Sequence, residues 1–166
     1  IYCSYHCSPR ITNCIIQGNS ADFGGGIGCG FTSNPKIVNC VITGNTVTTD
    51  GGGIHTSNSS PAIINTIVWD NTAANLNDEI NVYLGSPWAD CSLIGDTSCP
   101  PDLSCTDCLF DMDPLFVGIG DYHLTLDSPC LDTGSEAGAY SYLPLEDMDG
   151  DTRPLGARYD IGIDEV

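Results

Sequence analysis

Ser8 to Ile27 reads SPRITNCIIQGNSADFGGGI, Asn34 to Ile54 reads NPKIVNCVITGNTVTTDGGGI, and Ser60 to Ile80 reads SPAIINTIVWDNTAANLNDEI. Laid under one another, the three lines agree in column after column. Pro9, Pro35, Pro61 and Pro87 recur every 26 residues, as do Ile16, Ile42, Val68 and Ile94. Ile1, Ile27, Ile54 and Ile80 follow at steps of 26, 27 and 26. A fourth, weaker copy runs from Ile80 through Pro87 to Ile94. Such a repeat is one structural unit that can bury its apolar face only against its neighbours.

Within each copy, short β-branched segments such as Cys14-Ile15-Ile16 lie between Asn and Gly turn residues. No stretch sustains the apolar period of a helix. Stacked copies spaced by roughly 4.8 Å, the distance between paired strands, give each short segment a partner above and below. The expected fold is all-β: a right-handed parallel β-helix of about four coils of 26–27 residues, each with three strands and three turns, ending in an irregular acidic cap. Residues 1–96 would form the coils. Residues 97–166 would form a final coil, a Cys-rich loop and the cap of the same domain.

Stacking gives each column a role. Alternation along a strand places Cys3, Cys29, Thr56 and Val82 inward, and Tyr2, Gly28, His55 and Asn81 outward. Asn13, Asn39 and Asn65 are expected to form an amide ladder at a bend, and Asn19, Asn45 and Asn71 a second one near the next turn. The triplets Gly24-Gly25-Gly26 and Gly51-Gly52-Gly53 lack the spacing of a phosphate-binding loop, so a backbone role is expected of them.

Of the 166 residues, 4 are Lys or Arg and 22 are Asp or Glu, for a net charge of −18. A surface this acidic repels phosphate backbones and anionic membranes, so neither a nucleic-acid partner nor membrane insertion is expected. Nor does any apolar run approach the roughly 18 residues that span a bilayer. Only Asp22 and Asp50 precede Asp70, so the acidity belongs to the second half. Ten cysteines point to an oxidising compartment, outside the cell or on a bacterial cell surface. The sequence opens on Ile1 in mid-coil. Further coils or a partner are therefore expected at that edge, with self-association through coil ends as one consequence.

The GGGI and GN-x-A elements resemble repeats of polymorphic outer-membrane proteins, within the right-handed β-helices of the pectate-lyase-like superfamily. DPLF (Asp113–Phe116), DYHL (Asp121–Leu124), SPCLDTG (Ser128–Gly134), DMDGDTRPLG (Asp147–Gly156) and YDIGIDE (Tyr159–Glu165) follow. That succession is similar to the end of bacterial surface β-helix proteins of the choice-of-anchor type. The resemblance implies a fold and an extracellular address; such folds host lyases, hydrolases, adhesins and inert stalks alike.

Asp147, Asp149 and Asp151 alternate around Gly150, a partial calcium-loop pattern; the competing reading pairs Arg153 with Asp149 or Asp160. Cys91, Cys99, Cys105 and Cys108 are candidates for one or two disulfides, since a zinc site lacks an obvious fourth ligand. Cys3 with Cys29, and Cys14 with Cys40, are repeat equivalents that fit buried thiols and disulfides equally. Arg10, Lys36, Arg153 and Arg158 form no catalytic run, no pair of carboxylates stands out, and no catalytic residue is assigned. Tyr2, Tyr5 and Phe31, with Trp69, Tyr83 and Trp88 on later coils, could stack on sugar rings or cover apolar turns. The sequence therefore favours a non-catalytic structural or adhesive module, with end-to-end assembly in a fibre as one form it could take. The alternative is a carbohydrate-active or glycan-binding domain.

Overall fold

The computed structural model describes residues 1–75 and 78–166 and shows an all-β solenoid of about four turns. The first coil holds β1 (Tyr2–Cys3), β2 (Arg10–Thr12), β3 (Ile15–Gln17) and β4 (Ser20–Ala21). The second holds β5 (Ile27–Gly30), β6 (Lys36–Val38), β7 (Val41–Thr43) and β8 (Thr46–Val47). The third holds β9 (Ile54–Ser57), β10 (Ala62–Ile64), β11 (Ile67–Trp69) and β12 (Thr72–Ala73). β13 (Ile80–Val82), β14 (Trp88–Asp90) and β15 (Leu93–Ile94) make the fourth, and β16 (Ser104–Thr106) with β17 (Leu109–Phe110) a last, shortened turn. Each of the first three coils thus carries a fourth, two-residue strand beyond the three expected, directly after the second Asn column.

Equivalent strands pair in parallel and build four stacked sheets: β1-β5-β9-β13, β2-β6-β10-β14-β16, β3-β7-β11-β15-β17 and β4-β8-β12. The register follows the sequence repeat. Ile11 pairs with Ile37 and Ile37 with Ile63; Ile16 pairs with Ile42, Ile42 with Val68 and Val68 with Ile94. These columns and Ile27, Ile54 and Ile80 fill the interior, most of them fully buried. A buried Ile or Val contributes roughly 1.5–3 kcal/mol by leaving water, and the stack repeats that gain in every coil. Cys3, Cys29 and Thr56 stack inward with Val82 above them. The Gly triplets serve close approach: a Cβ on Gly53 would lie 2.7 Å from both the Glu79 carbonyl oxygen and Val68 Cγ1.

An irregular segment beginning near Asp111 then takes a different place from a lid on the last coil. It contains the antiparallel pair β18 (Phe116–Gly118) and β19 (Asp121–Leu124) and runs back along the side of the solenoid. Leu124, Cys130, Ile161 and Ile163 cover the outer face of the third sheet at Val41, Ile67 and Leu93. Leu143 and Tyr159 cover the second sheet at Val38, Ala62 and Ile64. This flank reaches the first coil, where Tyr122 Oη donates to Gln17 Oε1 and Asn13 Nδ2 donates to the Glu146 carbonyl at 2.8 Å. Among the described residues no helix is long and apolar enough to cross a membrane.

Candidate functional site

With two sheets covered by the flank, the outer face of β1-β5-β9-β13 stays open, and a cleft of about 580 Å³ lies there. Its walls are aromatic. The Tyr2 ring lies over the glycines of the next coil, where a Cβ on Gly28 would meet it at 2.9 Å. Tyr5 and Phe31 stack face to face with centroids 4.8 Å apart and planes 7° from parallel. Both residues adopt positive φ, 55° and 54°, a costly conformation for a bulky side chain. Phe23 and Tyr83 complete the walls with Tyr2 and Phe31, while Tyr5 backs the Phe31 ring from outside the lining; each of these five rings leaves more than half of its surface exposed.

Polar groups line the same cleft: Asp50, His55, Ser57 and Asn81. His55 projects from β9 with its ring 5.0 Å from Phe23. Burial lowers its pKa, against smaller upward pulls from Asn81 and Asp50, so the imidazole is neutral at pH 7. Its Nδ1 is enclosed without a hydrogen-bond partner. An apolar, partly enclosed wall with a few polar groups suits a ligand with flat apolar faces and hydroxyl edges.

The two asparagine columns behave differently. Asn45 Nδ2 donates to Asn71 Oδ1 at 2.9 Å, and Asn19 Nδ2 donates to Asn45 Oδ1 at 2.9 Å, a continuous ladder. At its end Glu79 accepts from the Asn71 backbone N–H at 3.2 Å and from Asn71 Nδ2 at 2.6 Å. Burial, together with Asp96 and Asp78, raises Glu79 to about 7 although both Asn71 bonds pull the other way. Asn13, Asn39 and Asn65 make no ladder with one another, contrary to expectation. Their φ values of 51°, 48° and 48° mark a left-handed corner, which Asn tolerates, and the amides meet the flank outside it. Asn39 Nδ2 donates to the Gly162 carbonyl at 3.1 Å, and Asn65 Nδ2 to Ser135 Oγ at 2.9 Å. The flank thus offers the acceptors that the copies above and below were expected to supply.

Asp147, Asp149 and Asp151 are not gathered around one point. The Asp147 carboxylate accepts from the backbone N–H groups of Asp149 (2.8 Å), Asp151 (2.9 Å) and Glu165 (3.2 Å), which spends it on the turn itself. Asp149 turns instead to His123, whose Nε2 lies 2.6 Å from Asp149 Oδ2. Arg153 is buried, donates to the Gly162 carbonyl at 3.2 Å and faces Glu165 at 3.9 Å rather than Asp149 or Asp160.

Among the cysteine candidates, Cys99 and Cys105 form a disulfide, whereas Cys91 and Cys108 are free thiols. Cys3, Cys29, Cys14 and Cys40 are also free, and burial pushes Cys29 up to about 12. The four basic residues all sit with the flank: Arg10 and Lys36 lie over the Tyr142 ring, Arg153 is buried and Arg158 Nε donates to the Gly134 carbonyl at 2.6 Å. Trp88 packs with Tyr140 on the flank side and Trp69 beside the third sheet, away from the aromatic cleft.

Sequence reasoning missed Phe23, and it placed His55 on the outward face without assigning it to a site. Phe23 falls directly before a Gly triplet in the turn that enters β5, and that position was the available signal. No family model, no curated protein and no solved structure matches the chain.

Proposed function

We propose that the chain is a non-catalytic, extracellular adhesive β-solenoid module that holds neutral saccharides in the cleft on β1-β5-β9-β13. The observation that carries this reading is the set of exposed rings, Tyr2, Tyr5, Phe23, Phe31 and Tyr83, on the face the flank leaves open. Flat aromatic faces bind the C–H faces of sugar rings, while His55, Ser57 and Asn81 supply hydrogen bonds to hydroxyls. A net charge of −18 disfavours uronate or sulfated polymers. The commitment of all four basic residues to the flank argues against a lyase, which needs a cation beside its substrate. Kinship with bacterial surface β-helix proteins fits the same address and belongs to this proposal.

Saturation-transfer NMR with neutral and uronic oligosaccharides tests it. Neutral oligosaccharides are expected to bind with little salt dependence, and Phe31→Ala to weaken them about tenfold, the upper range for loss of one stacked ring. Failure of every neutral saccharide to bind, or an unchanged affinity in Phe31→Ala, overturns the proposal. Release of new reducing ends would replace it with an enzyme.

A structural role by stacking of copies is the second reading, favoured by β1, β2, β3 and β4 each lying at the edge of its sheet. Sedimentation velocity that shows assemblies growing with protein concentration supports stacking; one invariant species removes it.

A further inference from the structure

The flank gathers His123 of β19, Asp149 of the acidic turn and Asp164 near the C-terminus, with one ligand atom of each within 4.8 Å of the other two. Asp164 is almost fully buried and is anchored by the Leu124 backbone N–H, which donates to its Oδ2 at 2.8 Å. On the far side of the imidazole, Asp121 Oδ1 contacts His123 Nδ1. That contact orients the ring and leaves Nε2 directed at Asp149, as a carboxylate does behind a metal-binding histidine. We propose that His123, Asp149 and Asp164 form a binding site for a zinc-type transition-metal dication, which ties the β18–β19 hairpin to the acidic turn and to the segment that carries Asp164.

The donor set decides the class of ion. One imidazole nitrogen with two carboxylates suits zinc and its neighbours, whereas calcium takes six to eight oxygens. His123 Nε2 and Asp149 Oδ2 now sit at hydrogen-bond distance, 2.6 Å. An ion with bonds near 2.1 Å needs its ligand atoms about 3.4 Å apart, a shift of under 1 Å for two side chains that are both partly exposed. The ion then takes the place of the proton between them. A second cluster of this kind among the described residues, Asp90, Cys91 and Asp107, is a poorer candidate. Arg158 Nη2 lies 3.7 Å from the Cys91 sulfur, Tyr140 Oη already donates to Asp90 at 2.6 Å, and burial pushes the Cys91 thiol up to about 11.

The test is calorimetric titration of the metal-free chain with Zn²⁺, with Ca²⁺ as control and Co²⁺ absorption as the spectroscopic signature. One equivalent of Zn²⁺ is expected to bind, with a Co²⁺ spectrum free of thiolate charge transfer. His123→Ala and Asp149→Asn, both at partly exposed positions, should each weaken binding at least tenfold, and Cys7→Ser should leave it unchanged. Absence of saturable Zn²⁺ binding overturns the proposal. So does an affinity that both variants retain, or one lost in Cys7→Ser, which would place the ion on a thiol. Tight Ca²⁺ binding that survives His123→Ala overturns it too.

Discussion

Asn45→Ala is expected to destabilise the chain by about 4 kcal/mol, the cost of stranding two or three buried polar groups at about 1–3 kcal/mol each. Asn45 occupies the middle of the internal ladder. Its Nδ2 donates to the Ile16 carbonyl at 2.9 Å, the Thr43 carbonyl at 3.1 Å and Asn71 Oδ1 at 2.9 Å. Its Oδ1 accepts from the Asn19 backbone N–H at 3.0 Å and from Asn19 Nδ2 at 2.9 Å. Alanine deletes all five bonds, and Asn45 is fully buried, so water does not replace them. For a chain of this size the thermal midpoint should fall by about 12 °C, at about 2–4 °C per kcal/mol. Asn19→Ala, at the exposed end of the same ladder, should lose only about 1 kcal/mol, one ordinary hydrogen bond's worth. Equal losses in urea unfolding of the two variants would show that the ladder does not hold the coils together.

Glu79→Gln is expected to stabilise the protein at pH 8 and to change little at pH 4.5. Burial raises the folded-state pKa of Glu79 from 4.5 to about 7. Between those values the folded chain binds the proton that the unfolded chain has released. This contribution is therefore fully present below pH 4.5 and is lost as pH rises through about 7. The shift corresponds to at most about 3 kcal/mol, at 1.36 kcal/mol per pH unit. Glutamine removes the charge and keeps an amide oxygen. One such oxygen already accepts both N–H groups of the residue before it elsewhere in the ladder, as Asn71 Oδ1 does from Asn45. Chemical denaturation at the two pH values checks this. A variant less stable than the parent at pH 8 would mean that the ionised carboxylate itself closes the ladder.

The repeat columns were legible because stacking imposes one register on every coil. Ile16, Ile42, Val68 and Ile94 must coincide in the folded chain, and so they coincide in the sequence. Asn19, Asn45 and Asn71 were readable for the same reason. The contacts of Asn13, Asn39 and Asn65 were not: their partners lie 133, 123 and 70 residues away, in a segment that has no repeat to set its alignment. Period-based reasoning cannot see such a partner. The function of Glu79 was hidden in a break of the pattern, where NDEI stands in place of GGGI. A side chain fits there because Gly95 leaves room above it: a Cβ at that position would lie 2.6 Å from Glu79 Oε1. The cleft was half visible. Tyr2, Tyr5 and Phe31 share one edge of consecutive coils, but the choice of open face depends on where the flank lies.

A simple stack of coils could form one turn at a time as it leaves the ribosome, since each turn needs only the one before it. The flank forbids that order here. Val41, Ile64 and Ile67 on the outer sheet faces are covered by residues synthesised many positions later, Tyr159, Ile161 and Ile163 among them. A nascent chain therefore presents two apolar sheet faces to its surroundings until the segment around Tyr159, Ile161 and Ile163 emerges. Closure is a late, long-range event, of the kind that slows folding and invites aggregation or chaperone capture in the interval.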